Sequence, residues 1–561
     1  MGRNDCTRRH RVLGNCSPCL TLFGAGAMKR LFQVVWRPRY SKLSVGVSKR
    51  LHCVLWGRQF VRVRLWGAEV TILRRLVTPM VVALLLASGC STPAAPTPAA
   101  ATDPFFDSTP AAPPTTPPVS MAEPTATPVP PPTPRAVSTP QPLGPCGVGA
   151  LALPNPDRPV YRGSLTVDPP TRRVEGFVSV VFTPDLDVDA LYVRLWPNGP
   201  RTSPGGVAME LTNVSFENGP VHFDVLEPTI VRINVPGGLA AGTSIEFEMS
   251  FELVVPQELE SRLSGRDDYM RLGTMLPILP WEPGLGWALD PPTSLFAESV
   301  SSPVADYAIQ VQVPEGYDVL ASGIVDDDGV WRVESARDFS LSVGGFRTVT
   351  GTALAPEPVV VTVGVHETIA DDPQIYLDKI IASLEQFSSR WGQYPWPSLT
   401  FAVTPNLSGG IEFPTHIMQG PNTQGRVTSH EVGHMFFYSL VGNNQSAAPW
   451  LDEGLTSYAE FTFEGSPANA FEVPAAGLGN ATEPMTFWES RPDIYYRSVY
   501  AQTGFALQLL GPQADVDCAL ARYVAQNAHQ IATAEDFVAA FQPTFPDIIE
   551  QMAALGVVLD R

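Results

Sequence analysis

Positive charge is scarce in this chain of 561 residues: 37 Lys and Arg stand against 56 Asp and Glu, a formal net charge of -19. Sixteen of the basic residues fall within residues 1–80, where Asp5 and Glu69 are the only acids, so the remainder holds 21 basic against 54 acidic residues. Such a body repels a phosphate backbone and argues against a nucleic-acid binder. Charge of either sign is also sparse, at 17%, while hydrophobic residues reach 44%, which excludes a wholly disordered protein. The apolar run from Val81 to Leu86 falls short of the ~20 residues that a bilayer span requires. Cysteines number seven and histidines eight, and no internal repeat is evident. The length predicts two or three domains.

Proline is the opposite case. Of 57 prolines, 18 lie between Ser91 and Pro145, a density that packed helices and sheets do not tolerate, so residues 91–145 read as a linker. Polyproline II at ~3.1 Å per residue would let it reach on the order of 170 Å. Upstream, Arg74 and Arg75 precede the apolar run, and Ala87, Ser88 and Gly89 lead to Cys90. This is the layout of a signal peptide over residues 70–90, and small residues directly before a cysteine resemble a bacterial lipobox, in which Cys90 is lipidated after cleavage. Ala87 stands where leucine is more usual. The expectation is an extracytoplasmic protein tethered to the bacterial cell membrane as a lipoprotein. A signal peptide begins at the N-terminus, so residues 1–69 read as a mis-called start, and the lone Cys16/Cys19 pair is assigned no function. Processing leaves Cys90, Cys146 and Cys518; with Cys90 acylated, the other two could form a disulfide, and sequence alone leaves their pairing open.

The periodicity of the body changes near residue 356. Ile245, Phe247, Met249, Phe251 and Leu253 alternate with Ser244, Glu246, Glu248, Ser250 and Glu252, the period of a half-buried strand. Phe177–Phe182, Leu191–Leu195, Ile230–Val235 and Tyr307–Val313 read similarly between Pro and Gly turns. Residues 146–355 are therefore expected to be a β-rich domain. After a short strand at Val359–Val365, Leu377, Ile380, Ile381, Leu384, Phe387 and Trp391 recur three and four apart, an amphipathic helix opened by Asp372-Pro373 and stopped by Gly392 and Pro395. Another strand, Leu399–Val403, leads into a mainly helical remainder. The fold class is α+β, with 356–561 as the second domain.

The chemistry concentrates on two helices. His430-Glu431-Val432-Gly433-His434 is an HExxH motif in the apolar stretch Val427–Val441. Histidines at i and i+4 share one helix face and can point at one ion, and zinc accepts nitrogen and oxygen donors in a tetrahedron. The bare pentapeptide also occurs as a solvated helix face. Glu453, separated from His434 by eighteen residues and placed in Trp450-Leu451-Asp452-Glu453-Gly454-Leu455, gives the metal reading its weight. A turn through Gly442-Asn443-Asn444 and a second helix opened by Pro449 would return Glu453 to the histidines as a third ligand. Three protein ligands leave a fourth position for water, the arrangement of a catalytic zinc. Glu431 is rotated about 100° from His430 and is the natural general base.

These segments resemble the zinc signature of the gluzincin aminopeptidases of the aminopeptidase N and leukotriene-hydrolase type. Gly409-Gly410-Ile411-Glu412-Phe413-Pro414 looks like their G-x-M-E-N substrate motif, with Trp391-Gly392-Gln393-Tyr394-Pro395 ahead of it. The resemblance covers roughly residues 155–555 and implies a β-saddle domain followed by a thermolysin-like catalytic domain with one zinc per chain. The large C-terminal helical domain of longer members is expected to be missing, since about fifty residues follow Leu510. By resemblance Glu412 would bind the substrate's free α-amine, with Gly410 beside it, and a tyrosine would stabilise the oxyanion. Tyr500 precedes Gly504-Phe505-Ala506 by four residues where the common spacing is three, which leaves Tyr496 as a second candidate. Ile411, Phe413 and Met435-Phe436 depart from the family pattern, so side-chain preference is not inherited. The implied activity is removal of N-terminal residues from peptides. A zinc endopeptidase and a non-catalytic binding lipoprotein are the alternatives, an epoxide-hydrolysing side activity has no support, and neither nucleic acid nor an obligate protein partner is implied.

Overall fold

The computed structural model describes residues 145–295, 300–466 and 480–559, together with four short strands between residues 43 and 73. Those strands, Leu43–Val45, Cys53–Trp56, Phe60–Leu65 and Ala68–Leu73, pair antiparallel in one sheet that belongs to a unit of its own, residues 1–130. Cys16, Cys19, the apolar run at 81–86, Cys90 and the linker up to residue 144 lie outside the described residues. Among those described, no helix is long and apolar enough to cross a membrane.

Of the alternating segments, those at 177–182, 245–253 and 307–313 fall in an eight-stranded sheet, while those at 191–195 and 230–235 pair with each other in a separate three-stranded sheet. The centre of the eight-stranded sheet is Val160–Asp168, Arg173–Phe182 and Ile245–Val254, and the last of these buries Phe247, Met249, Phe251 and Leu253 while turning Glu246, Glu248 and Glu252 to solvent. Alternation fixes the register, because a slip of one residue would expose that apolar row. One pair departs from an antiparallel arrangement. Ala305–Gln312 runs parallel to Val160–Asp168, with Tyr307 opposite Tyr161. Tight hairpins force antiparallel neighbours, and the long excursion from Val254 to Ala305 removes that constraint.

A further sheet has five strands, in the order Phe346–Leu354, Pro358–His366, Ser398–Val403, His416–Gln419 and Gly410–Phe413. Pro358–His366 and Ser398–Val403 are parallel, joined by helix α1, Pro373–Trp391. Asp372 caps α1 by accepting from the Gln374 amide at 3.0 Å, Pro373 occupies the first turn, and Gly392 ends it at a φ of 119° that favours glycine. Leu377, Ile380, Leu384, Phe387 and Trp391 form its buried face. The edge strand Gly410–Phe413 is antiparallel to His416–Gln419 and leaves one side of its backbone open toward the cavity described below.

The apolar stretch Val427–Val441 is not one continuous helix. Helix α2, Arg426–Gly433, gives way to a π-helical turn at Met435–Leu440, where Phe437 leaves helical geometry. Helix α3, Trp450–Phe463, follows Pro449. A third helical stretch contains a π-helical turn at Tyr496–Gln502, which continues into α4, Thr503–Leu510, and then α5, Gln513–Asn527. Cys518 of α5 is bonded to Cys146, with 5.5 Å between the Cα atoms, so a link across 372 positions ties the start of the body to its helical end.

Candidate active site

Helices α2 and α3 approach closely at Gly433, where an added Cβ would stand 3.0 Å from Thr456 Cγ2 and 3.2 Å from the Ala459 Cβ. That contact lets side chains on both helices reach one point. His430 Nε2 lies 3.2 Å from Glu453 Oε2, and His434 Nε2 lies 3.4 Å from the same oxygen. The imidazole centroids are 4.7 Å apart and the rings nearly perpendicular, at 79°. Two nitrogens and one oxygen thus converge, all within 4.8 Å of one another.

The opposite nitrogens are held as well. His434 Nδ1 is 2.6 Å from Asp452 Oδ1, whose other oxygen accepts from Gln445 Nε2 at 2.6 Å. His430 Nδ1 is 3.2 Å from Glu460 Oε2, and Arg426 bonds the second oxygen of Glu460. A carboxylate on each Nδ1 fixes the tautomer that aims the Nε2 lone pair at the shared point. Burial alone would lower the His430 pKa, yet its bonds to Glu453 and Glu460 carry it up to about 10. Glu453 moves the other way: burial opposes ionisation, but the charge of His434 and bonds from both histidines hold it at about 2. The cluster demands positive charge, supplied by protons or by a cation. Two imidazoles and one carboxylate with oriented second nitrogens fit zinc in type, number and convergence.

Sequence reading did not find Asp452 and Glu460. Their signal lay in helical spacing, since Glu460 is two turns beyond Glu453 and Asp452 immediately precedes it.

Two more carboxylates face the cavity in a different condition. Glu431 and Glu412 are both buried, and Glu431 Oε2 and Glu412 Oε1 have no hydrogen-bond partner. Burial pushes Glu431 up to about 7, against the pull of His430 and His434, and pushes Glu412 up to about 8 against His434. Gly410 acts through what it lacks, because a Cβ there would overlap the Glu431 side chain. Any larger residue would displace Glu431.

Of the two tyrosines, Tyr500 joins the cluster: its hydroxyl donates to Glu453 Oε1 at 2.5 Å, and its ring stacks on His430 at 5.8 Å and 13°. Tyr496 lies further out, 49% exposed on the cavity rim with its ring 4.9 Å from that of Tyr500. The π-helical turn accounts for the unexpected spacing of Tyr500. Bonds from i to i+5 insert one residue into a turn, so the offset of four to Gly504 shifts no side chain off its face. The cavity has a volume of about 440 Å³ and is lined by His430, Glu431, His434, Glu453, Glu412 and Tyr500, among others.

No protein-family model matches the chain. Over 193 residues it is 24% identical to aminopeptidase B of Rattus norvegicus and likewise to aminopeptidase B of Mus musculus, in each case over 28% of this chain and 28% of the relative. The chain thus spans little more than a quarter of the length of these curated relatives. Among solved structures it is similar to the M1 zinc metallopeptidase of Deinococcus radiodurans, with a TM-score of 0.53 and 16% identity over 72% of this chain and 95% of that one. A mutant of that enzyme bound to a Tyr-Ser-Ala substrate aligns with a TM-score of 0.55 and 16% identity over 72% and 94%. The chain has the fold of the M1 zinc metallopeptidases, a gluzincin group.

Proposed function

We propose that this protein is a zinc aminopeptidase that removes N-terminal residues from peptides. The observation that carries the reading is the pairing of a fully partnered donor set, His430, His434 and Glu453, with two unpartnered buried carboxylates, Glu431 and Glu412, in one cavity. We further infer that the strand-rich residues 146–355 correspond to the β-saddle domain and residues 356–561 to a thermolysin-like domain. Lipid attachment at Cys90 outside the cytoplasm remains part of the same proposal.

Zinc held by His430, His434 and Glu453 would polarise the scissile carbonyl and lower the pKa of water. Glu431 takes the proton of the attacking water on its unpartnered oxygen and passes it to the leaving amine nitrogen. Glu412 accepts hydrogen bonds from the substrate's α-ammonium, and a charged pair at that position counts off one residue from the amino end. Tyr500 exchanges its bond to Glu453 for one to the developing oxyanion. Gly410 keeps Glu431 within the cavity.

A comparison of amino-acyl amides with their N-acetylated counterparts tests the reading, beside Glu431→Gln. Cleavage of the free-amine series alone, abolished in the variant, is expected. Equal cleavage of acetylated peptides would make the protein an endopeptidase, and no cleavage across a broad panel would make it a binder.

A further inference from the structure

The cavity carries two charges that this reaction does not use. Arg201 and Arg262 line it together with Ser261 and Leu295. Arg262 lies near enough to Glu412, Asp338 and Arg201 for each to act on its charge. The third arginine of the lining, Arg426, is committed to Glu460 behind His430. Arg201 is exposed and donates to the Glu260 carbonyl at 3.4 Å, while the Glu260 carboxylate receives Ser408 Oγ. Arg262 is half-buried and donates to Thr274 Oγ1 at 3.4 Å. Burial lowers Arg262 only to about 10, so it is cationic at neutral pH.

Like charges in a confined space repel, and a carboxylate shared between them would offset that repulsion by its attraction to both. A guanidinium presents five donors in a plane, so it can keep its protein partners and still grip a carboxylate. Glu412, with its unpartnered oxygen, is the adjacent group proposed to hold the substrate's ammonium. The cavity therefore offers an anionic and a cationic contact side by side, a pattern that suits a zwitterionic ligand. We propose that Arg201 and Arg262 form a subsite that selects peptides bearing a carboxylate close to the amino end. This rests on the aminopeptidase reading and names its substrate class. The carboxylate has two possible sources, an Asp or Glu side chain at the amino end or the terminal carboxylate of a very short peptide.

Calorimetric binding to zinc-loaded Glu431→Gln protein, which is expected to bind without turning over, separates the sources. If the side chain is read, Glu-Ala-Ala-amide should bind about tenfold more tightly than Gln-Ala-Ala-amide; if the terminus is read, Ala-Ala should exceed Ala-Ala-amide by about the same factor. Arg201→Gln or Arg262→Gln added to that protein should bring the ratio toward one, and Arg201→Lys should keep part of it. Because Arg201 is exposed, its variants test the subsite even where Arg262→Gln fails to fold. Ratios of one for both pairs, or a preference that neither substitution alters, would overturn the subsite while leaving the peptidase reading intact. Failure of every free-amine peptide to bind would overturn both.

Discussion

The two walls of the cavity are built on opposite rules. At the junction of α2 and α3 each polar atom of the donor set is answered: Nδ1 of His430 by Glu460, Nδ1 of His434 by Asp452, and Glu453 by both histidines and Tyr500. Beside it, Glu412 Oε1 on the edge strand Gly410–Phe413 and Oε2 of Glu431, on α2 between the two histidines, are buried without partners. A buried unpaired carboxylate oxygen costs free energy, so a fold that keeps two of them reserves them for something that enters from outside. In the proposed reading, the fully satisfied groups hold a resident ion in place and the unsatisfied ones receive the substrate.

That contrast can be broken at either wall. The largest effect is expected from Glu431→Gln, which keeps the shape and removes the base: kcat should fall about 10³-fold or more, with zinc content unchanged by elemental analysis. A loss of zinc would mean that Glu431 belongs to the donor wall. Next comes Glu412→Gln, for which KM of free-amine peptides should rise about 100-fold in steady-state kinetics. An unchanged KM would deny Glu412 its role as an amine contact. On the partnered wall, Asp452→Asn and Glu460→Gln should each weaken zinc affinity about 10- to 100-fold, measured by competition with a chelating dye. Unaltered affinity would show that the outer carboxylates do not orient the histidines.

A last effect, on folding and not on catalysis, belongs to a histidine outside the cavity wall. His416 is buried, with Nδ1 2.7 Å from Thr400 Oγ1 and Nε2 3.1 Å from Ser342 Oγ, and burial lowers its pKa to about 3. The folded state therefore disfavours the proton that the unfolded chain accepts near pH 6.5. Stability should be complete above that pH and fall by up to about 1.4 kcal/mol per pH unit between ~6.5 and ~3. His416→Gln should flatten this part of a denaturation series; an unchanged slope would contradict the assignment.

Much of this was legible in the residues, and the gaps have physical causes. The i, i+4 histidines and the returning Glu453 could be brought together from helical spacing alone, and the alternation at 245–253 gave a strand that extends to Ile245–Val254. The parallel partner of Val160–Asp168 was hidden because Ala305–Gln312 arrives after a long excursion that local pattern does not constrain. Tyr500 was ambiguous because a 3.6-residue period does not reveal the π-helical turn that restores its position. Cys146 and Cys518 were left as an open possible pair because sequence carries no distance across 372 positions, and the structure bonds them with their Cα atoms 5.5 Å apart. Arg201 and Arg262 join the cavity from more than 150 residues before His430, and only tertiary packing gives them a site.

The donor set itself is the claim on which the rest depends. X-ray absorption at the zinc edge of purified protein, beside His434→Ala, reads it most directly. The account requires one zinc per chain with two nitrogen and one oxygen protein donors, lost or rearranged in the variant; protein free of stoichiometric zinc, or a spectrum identical in the variant, would contradict it.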